Sequence, residues 1–203
     1  MPHLSYELAV CQQRGLRYVA GVDEAGRGAL AGPVVAAAVI LPLDQPDLLV
    51  RLGGVRDSKQ LTPSQREQLY PLIVQCALAH GIGSRTAAEI DQLGIVRANQ
   101  QAMGAAVSQL RPAAETLLID GPHPLPACPL PQQAIVKGDS LSLSIAAASI
   151  LAKVTRDRLM VALAAEYPQY GFERHKGYGT AAHRAALTQY GPCPFHRRSF
   201  AGC

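Results

Sequence analysis

The sequence predicts an α/β domain in which short strands and amphipathic helices alternate along the chain. Apolar, β-branched runs at residues 18–23 and 33–41 have the length and composition of strands. Helical spacing of apolar side chains recurs at residues 95–110 and over a long run at residues 140–166. The chain has 203 residues, 48% of them hydrophobic, which is enough for one buried core and excludes disorder for most of it.

The first half of the chain predicts a hairpin and a capped helix. The runs YVAGVD (18–23) and PVVAAAVIL (33–41) flank a glycine-rich turn, so we expect a β-hairpin. Thr62, Pro63 and Gln65 then supply an N-cap, a proline at the first helical position and a capping-box glutamine. A helix should therefore start here, because the apolar side chains that follow recur at helical spacing.

The second half predicts two strands and a long helix. Strands are expected at residues 116–120 (TLLID) and 134–136. Between them, residues 121–131 hold five prolines, which favours an extended, exposed loop. Residues 140–166 predict one helix whose alanine- and serine-rich first half is buried.

The composition changes at residue 167, where glycine, proline, aromatic and basic residues become frequent. One more helix is expected at residues 181–190. We therefore divide the chain into a main domain, residues 1–166, and a C-terminal basic helical and loop segment, residues 167–203, packed on it.

The positive charge is concentrated near the C-terminal end. The net charge is +4, and between Lys153 and Arg198 eight basic residues accompany three acidic ones. This distribution suits a polyanionic partner, and a solvated basic surface explains the charge equally well. The cysteines are scattered, and the sequence shows neither a membrane span nor a secretory signal. We expect a cytoplasmic, monomeric protein with reduced thiols and no membrane contact.

The stretch VDEAGRG holds the most informative pattern of polar residues. Asp23 and Glu24 are adjacent at the end of an apolar strand. Neighbours in a strand point to opposite faces, so one of the two carboxylates would meet the core if the strand continued. We therefore expect the chain to bend at Glu24. Gly26 and Gly28 permit a turn and leave backbone N–H groups open to a phosphate or sugar, and Arg27 adds charge. A hairpin loop with solvated acids is the alternative interpretation.

Two further acids lie at the ends of predicted elements. Asp120 closes a strand and Asp139 precedes the long helix, so three chain segments each deliver a carboxylate. Convergence of these groups would require a cation to neutralise them, and oxygen ligands suit Mg²⁺ or Mn²⁺. Taken singly, Asp120 and Asp139 are also explained as helix or turn caps.

Six characteristic sequence blocks follow one another along the chain: VAGVDEAGRG, DSKQLTP, LLIDG, VKGDS, AASILAKVTRDR and HKGYGT. Together they resemble the bacterial type 2 ribonucleases H, the ribonuclease HII family. The resemblance implies an RNase H-like fold, a mixed central sheet flanked by helices with a small helical C-terminal piece. It also implies a metal-dependent endonuclease that hydrolyses the RNA strand of RNA–DNA hybrids and cuts 5′ of ribonucleotides embedded in duplex DNA, leaving 3′-hydroxyl and 5′-phosphate ends.

The resemblance implies roles for individual residues. The family's metal-binding, catalytic carboxylates fall on Asp23, Glu24, Asp120 and Asp139, with Mg²⁺ or Mn²⁺ as the cofactor. Recognition of the 2′-hydroxyl falls on Gly26, Arg27, Gly28 and Tyr178. The basic residues of these blocks are also candidate contacts to phosphate, although a solvated surface position explains each of them equally well: Lys59, Lys137, Lys153, His175 and Lys176.

Other charged residues receive structural interpretations. Arg156 and Asp157 are expected to form a helix ion pair or a tether outside the metal site. The run His196, Arg197 and Arg198 is expected to be basic surface.

Two other functions use the same residues. A non-catalytic duplex-binding protein would share the basic surface, but it would gain nothing from carboxylates placed where phosphate must lie. A small-molecule phosphohydrolase would use the same acids, but it would have little use for the C-terminal basic excess.

Overall fold

The computed structural model describes residues 2–203, and its centre is a five-stranded mixed sheet. The strands are β1 (Val19–Ala25), β2 (Val34–Ile40), β3 (Ala79–Arg85), β4 (Thr116–Asp120) and β5 (Gln132–Ile135). Their order in the sheet is β3-β2-β1-β4-β5. The first three are antiparallel neighbours, whereas β4 is parallel to β1 and β5 is parallel to β4. The carboxyl ends of β1 and β4 therefore lie side by side.

Helices cover both faces of this sheet. Within residues 2–203 they are α1 (Ser5–Arg14), α2 (Leu48–Arg51), α3 (Pro63–Cys76), α4 (Ala87–Leu93), α5 (Ile95–Ser108), α6 (Leu143–Glu166), α7 (Phe172–His175) and α8 (Ala181–Tyr190). Along β2, Ala37 and Val39 pack on the side of α6, whereas Ala36 and Ala38 pack on the side of α5. Every residue of β2 is buried, which explains why its sequence is one uninterrupted apolar run.

Small residues allow α6 to approach the sheet closely. A Cβ atom at Gly21 of β1 would overlap the backbone of Ser144 in the first turn of α6. The start of this helix is fixed by Ser142, whose hydroxyl accepts from the Ile145 N–H at 3.3 Å, and by Glu7 of α1, which accepts from the Ser144 N–H at 2.9 Å. The alanine- and serine-rich composition of this half-helix therefore reflects backbone contact with β1.

The predicted hairpin, the capped helix and the C-terminal helix are confirmed. Strands β1 and β2 pair in antiparallel register, and α3 begins after a complete capping box between Thr62 and Gln65. The long helix starts at Leu143, later than predicted, because Gly138–Ser140 form a separate 3₁₀ turn. Strand β5 ends one residue before the predicted run 134–136 does.

Strand β3 and helices α1, α2, α4 and α7 were not predicted. The sequence of β3, AHGIGSR, lacks an apolar run because glycines occupy its buried side. Cβ atoms at Gly81 and Gly83 would overlap the carbonyl oxygens of Ala106 and Ala102 in α5. The backbone of α5 thus fills the space that apolar side chains occupy on other strands.

The C-terminal residues pack on the second half of α6. Met160 and Leu163 of that helix form an apolar cluster with Tyr170, Phe172 and Ala186. The boundary between residues 166 and 167 remains a prediction. Among the described helices, none combines the length and the apolar character needed to span a membrane.

Candidate active site

Three of the predicted carboxylates converge at the carboxyl ends of β1 and β4. Ligand oxygens of Asp23, Asp120 and Asp139 lie within 4.8 Å of one another. Asp23 belongs to β1 and Asp120 ends β4, so the parallel pairing of these strands brings the first two together. Asp120 Oδ1 accepts from the Gly138 N–H at 2.7 Å, which ties the 3₁₀ turn that carries Asp139 to the end of β4.

Glu24 lies beside this cluster and outside the group of three. It follows Asp23 in the strand, and its carboxylate is 3.9 Å from the Arg27 guanidinium. Glu24 and Asp120 both line a small cleft with Asn99. Glu24 thus faces the site from the side of α5.

The expected bend at Glu24 is wrong, because β1 continues through Ala25. The turn begins at Gly26, which has a φ of 89°. Asp23 stays buried within the strand, 3% exposed, and its Oδ1 accepts from the Glu24 N–H at 2.7 Å. This hydrogen bond satisfies one carboxylate oxygen locally, so no bend is needed to reach solvent.

The site concentrates negative charge in a buried place. Burial raises the pKa of Asp23 well above its usual range, and Glu24 and Asp120 raise it further. Burial also raises the pKa of Asp120, with a further contribution from Asp139. Close like charges and lost hydration both disfavour the ionised forms, so the three carboxylates repel one another when all are ionised.

Lys59 supplies a partial counter-charge. Its Nζ lies 3.0 Å from Asp139 Oδ2, and the side chain is 76% exposed. Partial burial is the largest single influence on the pKa of Lys59 and lowers it. The hydrogen bond to Asp139 and the charges of nearby carboxylates together outweigh burial and raise that pKa overall. One ammonium cannot balance three carboxylates, so the donor set fits a hard divalent cation such as Mg²⁺ or Mn²⁺.

The loop between β1 and β2, residues 26–33, is called here the glycine-flanked loop. It has one covered and one open glycine position. A Cβ atom at Gly26 would overlap the Arg156 side chain, so the loop rests on that guanidinium. At Gly28 an added Cβ would meet nothing within 4 Å. Arg27 and Gly28 are exposed, so a ligand can approach the backbone here closely.

The expected ion pair between Arg156 and Asp157 is wrong. The buried Arg156 guanidinium donates to the carbonyl oxygens of Pro33 at 2.8 Å, Ala31 at 2.9 Å and Lys176 at 2.9 Å. Asp157 instead pairs with Lys153 at 2.7 Å and Arg66 at 3.7 Å. Adjacent residues of a helix do not face each other, which explains the separate partners. Arg156 is a tether that joins the loop after β1 to the C-terminal segment.

The expectation that residues 196–198 form basic surface is wrong for two of them. His196 is 1% exposed and Arg197 is fully buried. Arg197 donates to the carbonyl oxygens of Gly32 and Arg27, each at 3.0 Å. Arg156 and Arg197 thus both hold the glycine-flanked loop through its backbone carbonyl oxygens, a function that no local sequence pattern indicated.

Tyr178 lies at the edge of the C-terminal segment, beside two cations. Its side chain is 37% exposed, with Lys153 Nζ 5.6 Å and Arg156 Cζ 5.4 Å from the ring centroid. Both cations attract the ring and restrain its orientation, while the side chain stays partly exposed.

The remaining predicted substrate contacts divide into two groups. Lys137 is exposed on the turn before Asp139, whereas Lys176 Nζ donates to the Glu173 carbonyl oxygen. His175 has both ring nitrogens in hydrogen-bond contact with the backbone, Nε2 with the Tyr170 carbonyl oxygen at 2.7 Å and Nδ1 with the Gly177 N–H at 3.2 Å. This geometry favours a structural role for His175 over the predicted phosphate contact.

Comparisons with known proteins agree with the fold and identify the family. The family model described as Ribonuclease HII matches residues 20–203. Ribonuclease HII of Geobacillus kaustophilus is 58% identical over 187 residues, covering 92% of this chain and 69% of the relative. Ribonuclease HII of Syntrophotalea carbinolica is 53% identical over 190 residues, covering 94% and 88%.

A solved structure supports the same assignment. The crystal structure of ribonuclease H2 from Pyrococcus horikoshii has a TM-score of 0.76 at 30% identity, covering 92% of this chain and 95% of that one. The expected mixed sheet with flanking helices is confirmed, and the non-catalytic alternative is set aside. The chain belongs to the ribonuclease HII family and is a ribonuclease H, of a class that acts on RNA–DNA hybrids.

Proposed function

We propose that this enzyme uses Mg²⁺ or Mn²⁺ to hydrolyse the phosphodiester on the 5′ side of a ribonucleotide, in a hybrid or embedded in duplex DNA. The observation that carries the proposal is the convergence of Asp23, Asp120 and Asp139, from three chain segments, within 4.8 Å. These three residues would hold the cation, with Glu24 at the side of the cleft. When bound, a divalent cation supplies charge that activates water and stabilises the leaving oxygen.

The carboxylates are oriented before any ligand arrives. Asp120 is fixed by the Gly138 N–H at 2.7 Å, and Asp23 by the Glu24 N–H at 2.7 Å. Hydrogen bonds that hold charged groups in place reduce the reorganisation needed during reaction. Lys59, whose Nζ is 3.0 Å from Asp139, is exposed enough to exchange that partner for a substrate phosphate.

The bond that breaks determines the product ends. Water attacks phosphorus, the bond from phosphorus to O3′ breaks, and O3′ takes up a proton. The products are a 3′-hydroxyl and a 5′-phosphate. No protein nucleophile is needed, and the 2′-hydroxyl serves only for recognition.

Selection of the ribonucleotide is assigned to the loop after β1 and to Tyr178. The open space at Gly28 lets the backbone approach a sugar, and the Tyr178 ring is held by neighbouring cations. Only the 2′-hydroxyl distinguishes RNA from DNA at a single nucleotide, so a close backbone and a fixed ring are suitable readers.

A cleavage assay on four end-labelled duplexes tests the proposal. The duplexes are all-DNA, an RNA–DNA hybrid, DNA with one ribonucleotide, and DNA with one 2′-O-methyl ribonucleotide. We expect cutting of the second and third only, 5′ of the ribonucleotide, with Mg²⁺ or Mn²⁺. Efficient cutting of the all-DNA or methylated duplex would show that the enzyme does not sense the hydroxyl.

Two variants test the carboxylate assignment. Asp120→Asn should bind the hybrid but not cut it, because the variant loses a ligand charge while the basic surface is unchanged. Asp44→Asn, at an exposed position remote from the cluster, is the matched control and should cut normally. Near-normal cleavage by Asp120→Asn would contradict the metal site.

A further inference from the structure

We infer that His183 and His196 are positioning residues, which hold the backbone of Tyr178 through one directed chain of hydrogen bonds. We call this chain the histidine relay; it runs from Cys193 through His196 and His183 to Tyr178. The inference rests on the proposed role of Tyr178 at the substrate sugar. It assigns to the two histidines a function that their sequence context did not indicate.

The relay is buried and continuous. His183 and His196 are 0% and 1% exposed. The Cys193 N–H lies 3.0 Å from His196 Nδ1, the two Nε2 atoms of His196 and His183 are 3.0 Å apart, and His183 Nδ1 is 3.0 Å from the Tyr178 carbonyl oxygen. Each contact is within normal hydrogen-bond distance.

The two ends of the relay determine where every proton lies. The Cys193 backbone N–H can only donate, so His196 Nδ1 must accept and the His196 proton must be on Nε2. That proton points at His183 Nε2, which must therefore accept. The His183 proton is then on Nδ1, where it donates to the Tyr178 carbonyl oxygen. Only one pair of tautomers satisfies the whole chain.

The relay fixes the segment that joins Tyr178 to the glycine-flanked loop. The Tyr178 carbonyl oxygen also accepts from the Thr180 N–H at 2.8 Å, so it has two fixed donors. Next to it, the Gly177 carbonyl oxygen accepts from the Leu30 N–H at 2.8 Å. The relay therefore holds Tyr178 relative to the loop whose backbone is proposed to contact the same sugar.

The surroundings of the relay keep it uncharged. His175 of α7 stacks on His183 with ring centroids 4.4 Å apart, and Tyr170 meets His196 edge-on at 4.8 Å. The other neighbours that face the pair are Phe172 from α7, Arg184 from α8, Cys193 from the following loop and, through Cys193, Glu166 from α6. Burial lowers the pKa of His196 to about 4, and burial also lowers that of His183.

An added proton would break the chain. Protonated His196 would place an Nδ1–H against the Cys193 N–H, and protonated His183 would place an Nε2–H against that of His196. Two donors facing each other lose the hydrogen bond and repel. The relay is thus competent only when both histidines are neutral.

The tautomers provide a test on the unmodified enzyme. Long-range ¹H–¹⁵N NMR spectra of the ¹⁵N-labelled enzyme at neutral pH should show His196 as the Nε2–H tautomer and His183 as the Nδ1–H tautomer. The exposed His80 serves as the internal reference for a histidine in solvent. A His183 that carries its proton on Nε2 would overturn the inference, whatever the variants do.

Kinetics on the single-ribonucleotide duplex provide the second test. Leu and Asn have similar shapes, but only Asn retains an N–H donor near the position of Nδ1. We expect His183→Leu to lower kcat about tenfold with little change in KM, and His183→Asn to recover part of the loss. His80→Leu is the matched control and should cut normally. Equal losses for the Leu and Asn variants would contradict a role for the Nδ1 donor.

A double-mutant cycle separates this inference from the proposed role of Tyr178. If His183 acts through Tyr178, the double variant with His183→Leu and Tyr178→Ala should have a kcat less than twofold below that of Tyr178→Ala alone. If the fold-losses in kcat of the two single variants multiply in the double variant, His183 contributes to general stability, and the inference that it positions Tyr178 is overturned. Full activity of Tyr178→Ala alone would instead refute the proposed role of Tyr178, and the positioning role would fall with it, while the tautomers would still be as predicted.

Discussion

Replacing Asp23 by Asn should make the metal-free protein more stable while abolishing its activity. The Asp23 carboxylate is 3% exposed, and burial raises its pKa well above the usual range. A group whose pKa is raised in the folded state is destabilising when ionised. The penalty is absent below the unfolded pKa of about 3.9, grows as the pH rises from there to the folded pKa, and levels off above the folded pKa.

The structure allows the size of this effect to be worked out. Asn has nearly the same shape, and its Oδ1 can still accept from the Glu24 N–H, now at 2.7 Å from Asp23. The substitution therefore removes charge without removing that hydrogen bond. Single stabilising substitutions commonly gain about 0.5–2 kcal/mol. In a chain of this size each kcal/mol shifts Tm by about 2–4 °C, so Tm should rise by about 1–8 °C.

Bound metal should reverse the order of stability. At a concentration 100 times its Kd, a cation that binds only the folded state adds about 2.7 kcal/mol to wild type. The variant lacks one of three ligands and should gain much less. In calorimetry, Asp23→Asn should have the higher Tm with a chelator, and wild type should have the higher Tm with Mg²⁺. Asp44→Asn, at an exposed site, should have the Tm of wild type in both conditions. A variant less stable than wild type in chelator would refute the reasoning.

Three further predictions concern the loop, Lys59 and the buried histidines. Gly26→Ala should lower Tm because its Cβ would overlap the Arg156 side chain. Gly28→Ala, whose Cβ would meet nothing within 4 Å, should keep the wild-type Tm but lose cleavage of the single-ribonucleotide duplex. Equal losses of Tm in the two variants would contradict this. Lys59→Met should tighten Mg²⁺ binding measured by calorimetric titration, because it removes an ammonium 3.0 Å from Asp139; unchanged or weaker binding would count against it. Burial lowers the pKa of His196 to about 4, below an unfolded value of about 6.5. The free energy of unfolding should therefore decline as the pH falls from about 6.5 to about 4, and level off below that. In His196→Gln the free energy of unfolding should decline less over the same range.

Features set by neighbouring residues were predictable from the sequence. The capping box of α3 involves residues three apart, and the hairpin of β1 and β2 joins adjacent runs. Strand β3 was missed because its buried side consists of glycines in contact with the α5 backbone. A pattern search that looks for apolar side chains cannot find a strand whose partner is a backbone.

The site was predictable where it depends on strand ends. Asp23 and Asp120 follow apolar runs, so their meeting at one sheet edge could be anticipated. The burial of Arg197 could not, because its carbonyl partner at Gly32 is 165 residues away in the chain. A basic run looks the same in a sequence whether its acceptors are water molecules or distant carbonyl groups.

The parallel pairing of β1 with β4 also bears on when the enzyme becomes active during its synthesis. The hairpin of β1 and β2 emerges from the ribosome early, carrying Asp23, but β4 and the turn with Asp139 come much later. A nascent chain that stops before β4 holds a single carboxylate of the cluster. Because Asp139 follows β5 in the chain, the three carboxylates can come together only after the last strand of the sheet has been made.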